Sequence, residues 1–429
     1  MDERNNIQPD EAERINEESR LANHMSRRDL INRIMLLLNL FGGIFVFGML
    51  SGTRSIVLAL IRAEFNVSYD TQGTMLFFST IVSMVFTYGA AILLRKFGTK
   101  VSASINFLTV AIACIAMQFT TIYPFVMIVY MVIYATYSHF GTNKNAIFRS
   151  IFTAKFALWM SLLHAFFGLG SVAGPYLTSY LINELGYGWQ HVYFVLALPM
   201  VVFLIIAVFA RYIYSEETVD HKVEEKSDVG GTYKLTVREC FKMPIVWIFA
   251  VSIAFAGAIE YSFSNWTLIY LKDMFGVDPV TTGAMLMSVY FIAFTASRIV
   301  GGFFMEKIGY IRTLRIFAVF EIGLLVTSFL LGESGIWVLP IVGFFVGPFY
   351  PTQLASMLKV YGREATIMIG ASGIISALLT SIIQYGIGWT NTLVGPAWGF
   401  RSIAAYGLLS LIIHTALGKS LAKKYGKPV

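Results

Sequence analysis

The chain has 429 residues, 56% apolar and only 13% charged, with a formal net charge of +7 and a mean hydropathy of +0.68. A soluble domain averages about 25% charged residues, so this composition excludes a disordered chain and argues against a soluble enzyme of this size. The charges also cluster: 27 of the 57 lie in residues 1–33 and 211–242, which leaves apolar stretches long enough to span a membrane.

Residues 1–33 form a polar tail of mixed charge. It has neither the basic start nor the apolar centre of a cleaved signal, so the tail is expected to stay in the cytosol. Twelve apolar runs follow, at about 34–61, 72–94, 101–119, 124–148, 157–183, 190–213, 244–271, 281–305, 313–331, 336–358, 366–389 and 400–420. Each suits a membrane-crossing helix. Val201 to Ala210 shows none of the in-and-out alternation that a barrel strand needs. The hydrophilic stretch between the sixth and seventh runs divides the chain. The expected parts are a cytoplasmic tail (1–33), a six-helix bundle (34–213), a cytoplasmic linker (214–243), a second six-helix bundle (244–421) and a short cytoplasmic tail (422–429). The fold class is thus all-α integral membrane, with twelve transmembrane helices in two bundles.

Basic residues favour the cytoplasmic face. With both termini inside, the outer loops carry only Arg62, Lys272 and Arg401, the spans carry Arg54, Lys144 and Arg298, and the other 26 of the 32 Lys and Arg face the cytosol. The positive charge is therefore a topology signal. Acidic residues interleave with it in the tail and linker, so nucleic acid is not an expected partner.

Cys114 sits in an apolar run and Cys240 in a charged loop, which rules out a disulfide framework. No Cys/His cluster has zinc spacing. There is no phosphate-binding loop, nucleophile elbow or pair of catalytic carboxylates. No cofactor, metal or enzymatic activity is expected.

The two halves repeat. Residues 91–98 read Ala-Ile-Leu-Leu-Arg-Lys-Phe-Gly, and residues 302–309 read Gly-Phe-Phe-Met-Glu-Lys-Ile-Gly. With this repeat the chain resembles the major facilitator superfamily, whose loop signature is a glycine, three residues, an acid, a base, one residue and a glycine. Gly302, Glu306, Lys307 and Gly309 match it. In the first copy Ala91 replaces the glycine and Arg95 the acid. The resemblance implies a conformational latch at Gly302, Glu306, Lys307 and Gly309, with Arg298 and Arg95 beside it. The latch in the first half must differ. Within the superfamily the chain is similar to the fucose and glucose permease branch. Three stretches carry this: residues 162–175, the Gly257, Glu260, Trp266 and Tyr270-Leu271 pattern, and residues 347–352. The helix 4 acid common in that branch is Gly141 here, so a proton-coupling acid is not carried over to helix 4.

Ionisable groups within spans are costly and normally face a cavity or a partner. These are Arg54, Lys144, Glu260, Arg298 and Glu321. Glu260 lies in the middle of helix 7. There it can carry a coupled proton, bind solute hydroxyls, or form a permanent ion pair with Lys144 or Arg54. Those two cations can instead hold an anionic group. Arg298 is expected in inter-helix contacts and Glu321 beside a buried partner. His164 falls in the branch's helix 5 motif. Asn143, Asn145, Asn265 and Gln353 offer amides, and Trp266 and Tyr350 offer ring faces, a combination suited to a sugar. Gly168, Gly170, Gly174 and Pro175 can serve close packing or a bend.

The expected protein is a transporter of a small polar solute working by alternating access, facilitated or coupled to protons. A sugar is the solute the resemblance implies. An organic anion on the same fold and a non-transporting sensor are the alternatives. The lipid bilayer is its setting, a plasma membrane is favoured over an internal one, and a monomer is expected.

Overall fold

The structure, a computed structural model, describes residues 27–152, 156–212, 235–362 and 364–426. The N-terminal tail and most of the linker lie outside these residues. Eleven helices among the described residues are long and apolar enough to cross a membrane. One of them, Tyr69–Phe119, runs 51 residues, about twice what a crossing needs. Its backbone breaks at Gly98, where φ is 77°. It therefore makes two passes, and the total is twelve.

The first bundle comprises α1 (Arg27–Glu64), α2 (69–97), α3 (99–119), α4 (Tyr123–Ile151), α5 (Leu162–Glu184) and α6 (Trp189–Phe209). The second comprises α7 (Pro244–Phe275), α8 (Thr282–Ile308), α9 (Tyr310–Leu331), α10 (Leu339–Tyr361), α11 (Glu364–Val394) and α12 (Pro396–Tyr425). The start of α1, the end of α6 and the start of α7 lie at one end of the bundles, called inner below. Between α6 and α7 a capped turn, Val237–Cys240, buries Cys240 within the stretch that the sequence marks as a charged loop. Its Thr236 and Glu239 form a reciprocal capping box, which satisfies the free backbone N–H groups of the first turn.

Packing is related by exchange of each helix with the one six places on. In the first bundle α1 packs on α5, α2 on α4 and α3 on α6. The second repeats this as α7 on α11, α8 on α10 and α9 on α12. Between bundles, α2 meets α11 and α5 meets α8, which are the same pair under that exchange, and α1 meets α7 on the axis. Outward faces remain apolar and exposed, for example Leu330, Phe119 and Leu198. Lipid is as apolar as a core, so these faces suffer no penalty in a bilayer.

Small residues set the closest contact. A Cβ on Gly170 would lie 2.0 Å from the Phe45 carbonyl oxygen, and one on Gly48 would lie 2.2 Å from that of Phe167. Gly52 and Gly174 interleave one turn on, against Ser171 and Met49. This is the glycine-every-fourth pattern that lets two helices touch backbone to backbone. Gly170→Ala must push α1 from α5, so a loss of about 1–3 kcal/mol is expected. A fall in the melting temperature of the purified protein would show it, and an unchanged value would contradict the packing.

Gly98 and Gly309 close the two repeats alike. Both take positive φ, 77° and 93°, a conformation that disfavours a side chain.

Candidate functional site

The bundles touch at the outer end and part at the inner end. In the outer half, Gly73 of α2 faces Gly388 of α11, with a Cβ on Gly73 only 3.3 Å from the Gly388 Cα. Arg62 at the end of α1 reaches Asp273 of α7 at 2.9 Å. Tyr69 donates to the same carboxylate at 2.8 Å, and Thr392 of α11 donates to Asp70 at 3.1 Å. The Arg62 guanidinium also lies over the Tyr69 ring at 3.7 Å. Further in, Ser288 of α8 donates to the Val172 carbonyl of α5 at 3.3 Å. Toward the inner end, no atom stands within 4 Å of a Cβ placed on Gly370 or Gly373 of α11, or on Gly141 of α4. The described contacts between the bundles thus gather toward the outer end, and the space beside these inner glycines is open.

Asp273→Asn removes the charge that Arg62 and Tyr69 share. Exposed pairs are worth about 0–1 kcal/mol, so a several-fold shift toward outer-open protein is expected. A spin-label distance between the outer ends of α1 and α7 would lengthen. An unchanged distance would show that the glycine contacts alone close this end.

Both bundles supply ionisable side chains to the chamber. Glu260 of α7 pairs with Arg298 of α8 at 3.7 Å. That is an ion-pair distance and too long for a hydrogen bond. Both side chains stay accessible, at 32% and 25%. Arg298 Nε donates to the Gly347 carbonyl of α10 at 3.0 Å, and its guanidinium lies 4.2 Å from the centre of the Phe294 ring. The sequence explains the acceptor. A helical Gly347 carbonyl would bond the N–H of residue 351, which is a proline and has none. The helix breaks there, between Val346 and Phe349, and the freed carbonyl takes the arginine.

Across the gap, Lys144 of α4 and His164 of α5 come within electrostatic range of Arg298. Tyr137 of α4 does so with Glu260, Arg298, Tyr261 and Tyr350. Tyr261 in turn reaches Arg54 of α1. Tyr137, Tyr261 and Tyr350 are 37%, 47% and 48% exposed. Tyr137 stacks on Phe167 at 5.4 Å. Arg54 lies over the Tyr134 ring at 4.0 Å, and Tyr134 is anchored by its hydroxyl to the Leu50 carbonyl at 3.0 Å. Asn145 is exposed. It follows Tyr137 by eight residues and Gly141 by four, so it shares their face of α4.

The structure thus brings Glu260 and Arg298 together, with Lys144, His164, Tyr350 and, through Tyr261, Arg54 within electrostatic range; Asn145 is related to them by its face of α4. Other expected site residues lie elsewhere. Asn143 is buried and accepts from Ser102 of α3 at 2.7 Å. Asn265 and Trp266 donate to Gln384 of α11 at 3.2 and 3.0 Å, and both are buried. Gln353 is buried among Ser252 and His414, at 3.0 and 2.8 Å from its Nε2. Their polar atoms tie helices together within a bundle and do not line the chamber. Arg298, expected in the latch, sits in the central pair. Glu260 pairs with neither Lys144 nor Arg54, and among the described residues neither cation has a carboxylate within ion-pair distance. Of the other latch residues, Arg95 and Lys307 are exposed and Gly309 forms the turn. The Glu306 side chain lies outside what the structure describes.

Tyr137 and Tyr261 were not singled out in the sequence. The signal was there for Tyr137, which precedes Gly141 by four and Lys144 by seven residues.

These features define a polytopic helical membrane protein with an ionisable chamber between two like bundles. The chain belongs to the Major Facilitator Superfamily, whose family model matches residues 40–384. It is similar in fold to a bacterial homolog of the human lysosomal transporter Spinster in its inward-facing, unoccupied conformation. There the TM-score is 0.70, the identity 13%, and the match covers 93% of this chain and 99% of that one. It is also similar to the nucleoside transporter NupG, at a TM-score of 0.67 and 13% identity over 90% of this chain and 98% of that one. None of the curated proteins compared with the chain matches it.

Proposed function

We propose that this transporter carries a small polar solute bearing an anionic group, bound between the bundles and exposed to each side in turn. The charge balance of the chamber carries this reading. Among the described residues, Arg54, Lys144 and Arg298 stand against one carboxylate, Glu260, and two of the cations have no carboxylate within ion-pair distance. Arginine matches a carboxylate or phosphate with two parallel donors. The three tyrosine hydroxyls and Asn145 suit hydroxyl groups on the same solute. A hydroxylated organic acid, such as a sugar acid, meets both demands.

A neutral sugar is the second reading. It keeps the support of the permease-like stretches in helices 5, 7 and 10, but three of the four amides that favoured it are engaged within bundles. Glu260 is the group placed to couple a proton, since it faces the chamber and its pairing with Arg298 is loose. The basic residues favour the inner side as the cytosol, and a plasma membrane remains the favoured location.

A thermal-shift screen of the purified protein tests the solute class, because a bound solute stabilises the folded state according to its affinity. Sugar acids and hydroxy acids are expected to raise the melting temperature. Neutral sugars and nucleosides, the cargo of one structural neighbour, serve as comparison. A shift with neutral sugars alone would overturn the anionic reading.

A further inference from the structure

Away from the chamber, α9 and α12 are pinned together at two points. A Cβ on Gly418 of α12 would lie 2.5 Å from the Ile311 side chain, and one on Gly407 would lie 2.9 Å from that of Ile322. These contacts fix the spacing of the two helices. Along the stretch between them lies an open groove of about 530 Å³.

The walls of the groove are of two kinds. Arg312 and Arg315 line it at the inner end of α9, and Ile316, Val319, Phe320 and Leu411 line it further in. Arg312, Arg315, Ile316 and Val319 follow the i, i+3, i+4, i+7 spacing of one helical face. From Arg312 to Phe320 a helix rises about 12 Å. Phe320 is held by stacking on Phe345 at 5.2 Å and 17°. Thr415 also lines the groove, but its hydroxyl donates to the Leu411 carbonyl at 2.9 Å. The free donors are therefore the two guanidiniums.

Both arginines are exposed. Among the described residues no carboxylate stands within ion-pair distance of either, and the first turn of α9 contains no acid. The internal repeat does not require them. It sets residue 302 against residue 91, and on that register the α3 counterparts of Arg312 and Arg315 are Val101 and Ser104.

A guanidinium matches a phosphate with two parallel donors. A free phosphate has no use for the apolar wall, and a bare acyl chain has none for the arginines. A phospholipid meets both walls at once, with its headgroup at the inner end and a chain running into the bilayer. A zwitterionic headgroup would bring its own ammonium toward the arginines, so an anionic one is favoured. Basic pockets between transmembrane helices hold anionic lipid headgroups in just this way.

We infer that the groove between α9 and α12 binds one anionic phospholipid from the leaflet on the inner side. Its phosphate is held by Arg312 and Arg315, and an acyl chain lies along Val319, Phe320 and Leu411. This site is separate from the chamber and does not depend on which solute is carried.

Native mass spectrometry of the purified full-length protein, titrated with phosphatidylglycerol or phosphatidylcholine, tests the site. One phosphatidylglycerol should bind roughly tenfold or more tighter than phosphatidylcholine. Arg312→Gln combined with Arg315→Gln should erase that preference. Should the double variant fail to fold, Arg315→Gln alone makes the same comparison. Lys423→Gln with Lys424→Gln removes two exposed cations from the last turn of α12, outside the groove, and should leave the preference intact. Equal affinity for the two lipids, or an equal loss in the lysine variant, would overturn the inference. So would displacement of the lipid by inorganic phosphate at equal concentration, which would mark a free-anion site. A dimer that the arginine variant abolishes would assign the groove to a second copy of the chain and overturn it as well.

Discussion

Glu260→Gln is expected to abolish uphill accumulation driven by a proton gradient while sparing solute exchange between the two sides. Glutamine keeps the shape and the hydrogen-bonding oxygen but can neither take up nor release a proton. It also frees Arg298, leaving three cations in the chamber without a carboxylate. Counterflow should therefore persist within about a factor of ten of the wild type, the scale of one lost charged interaction. Transport measured in vesicles with and without an imposed pH difference separates the two effects. If uphill accumulation survives, Glu260 does not carry the coupled proton. If exchange disappears as well, the carboxylate is needed to bind the solute or to hold Arg298.

Arg298→Lys should be more damaging than its preserved charge suggests. The arginine bridges α8, α7 and α10, through Glu260 at 3.7 Å and the Gly347 carbonyl at 3.0 Å. An ammonium is one compact point charge and cannot hold both. Losing a hydrogen bond to a charged group costs about 1.5–3 kcal/mol, so a transport loss of roughly tenfold or more follows. The melting temperature should fall too, because the carbonyl that Pro351 leaves without a donor becomes unpaired. Equal activity of the lysine variant would show that only charge matters at this position. Arg298→Met, which strands Glu260, should be worse than lysine by both measures.

Much of the architecture was legible in the sequence because a bilayer imposes length and polarity on every span. The breaks fell where glycine and proline stand, at Gly98, Gly309 and the Gly347–Pro348 step. Glu260 announced itself through the cost of a charge among apolar residues. Its partner did not, because pairing depends on how α7 and α8 lie together, which no local pattern records. Why some of the expected residues lie away from Glu260 is a matter of helical geometry. Successive residues turn by about 100°, so Asn265 and Trp266 lie roughly 140° and 120° around α7 from Glu260 and cannot share its face. Asn143 and Asn145 are likewise about 160° apart on α4. The first meets Ser102 inside its bundle and the second follows Tyr137 into the chamber. Glu321 was expected to have a buried partner, and among the described residues none stands within hydrogen-bond or ion-pair distance of its carboxyl.

The central claim is a polar chamber between the bundles that opens to one side at a time. Tyr350→Cys, carried in sealed vesicles of known orientation, tests it most directly, since Tyr350 is 48% exposed at the chamber wall. A membrane-impermeant maleimide should label this cysteine from the inner side alone in the absence of solute, and a bound solute should slow that labelling. Equal labelling from both sides, or none from either, would contradict the account.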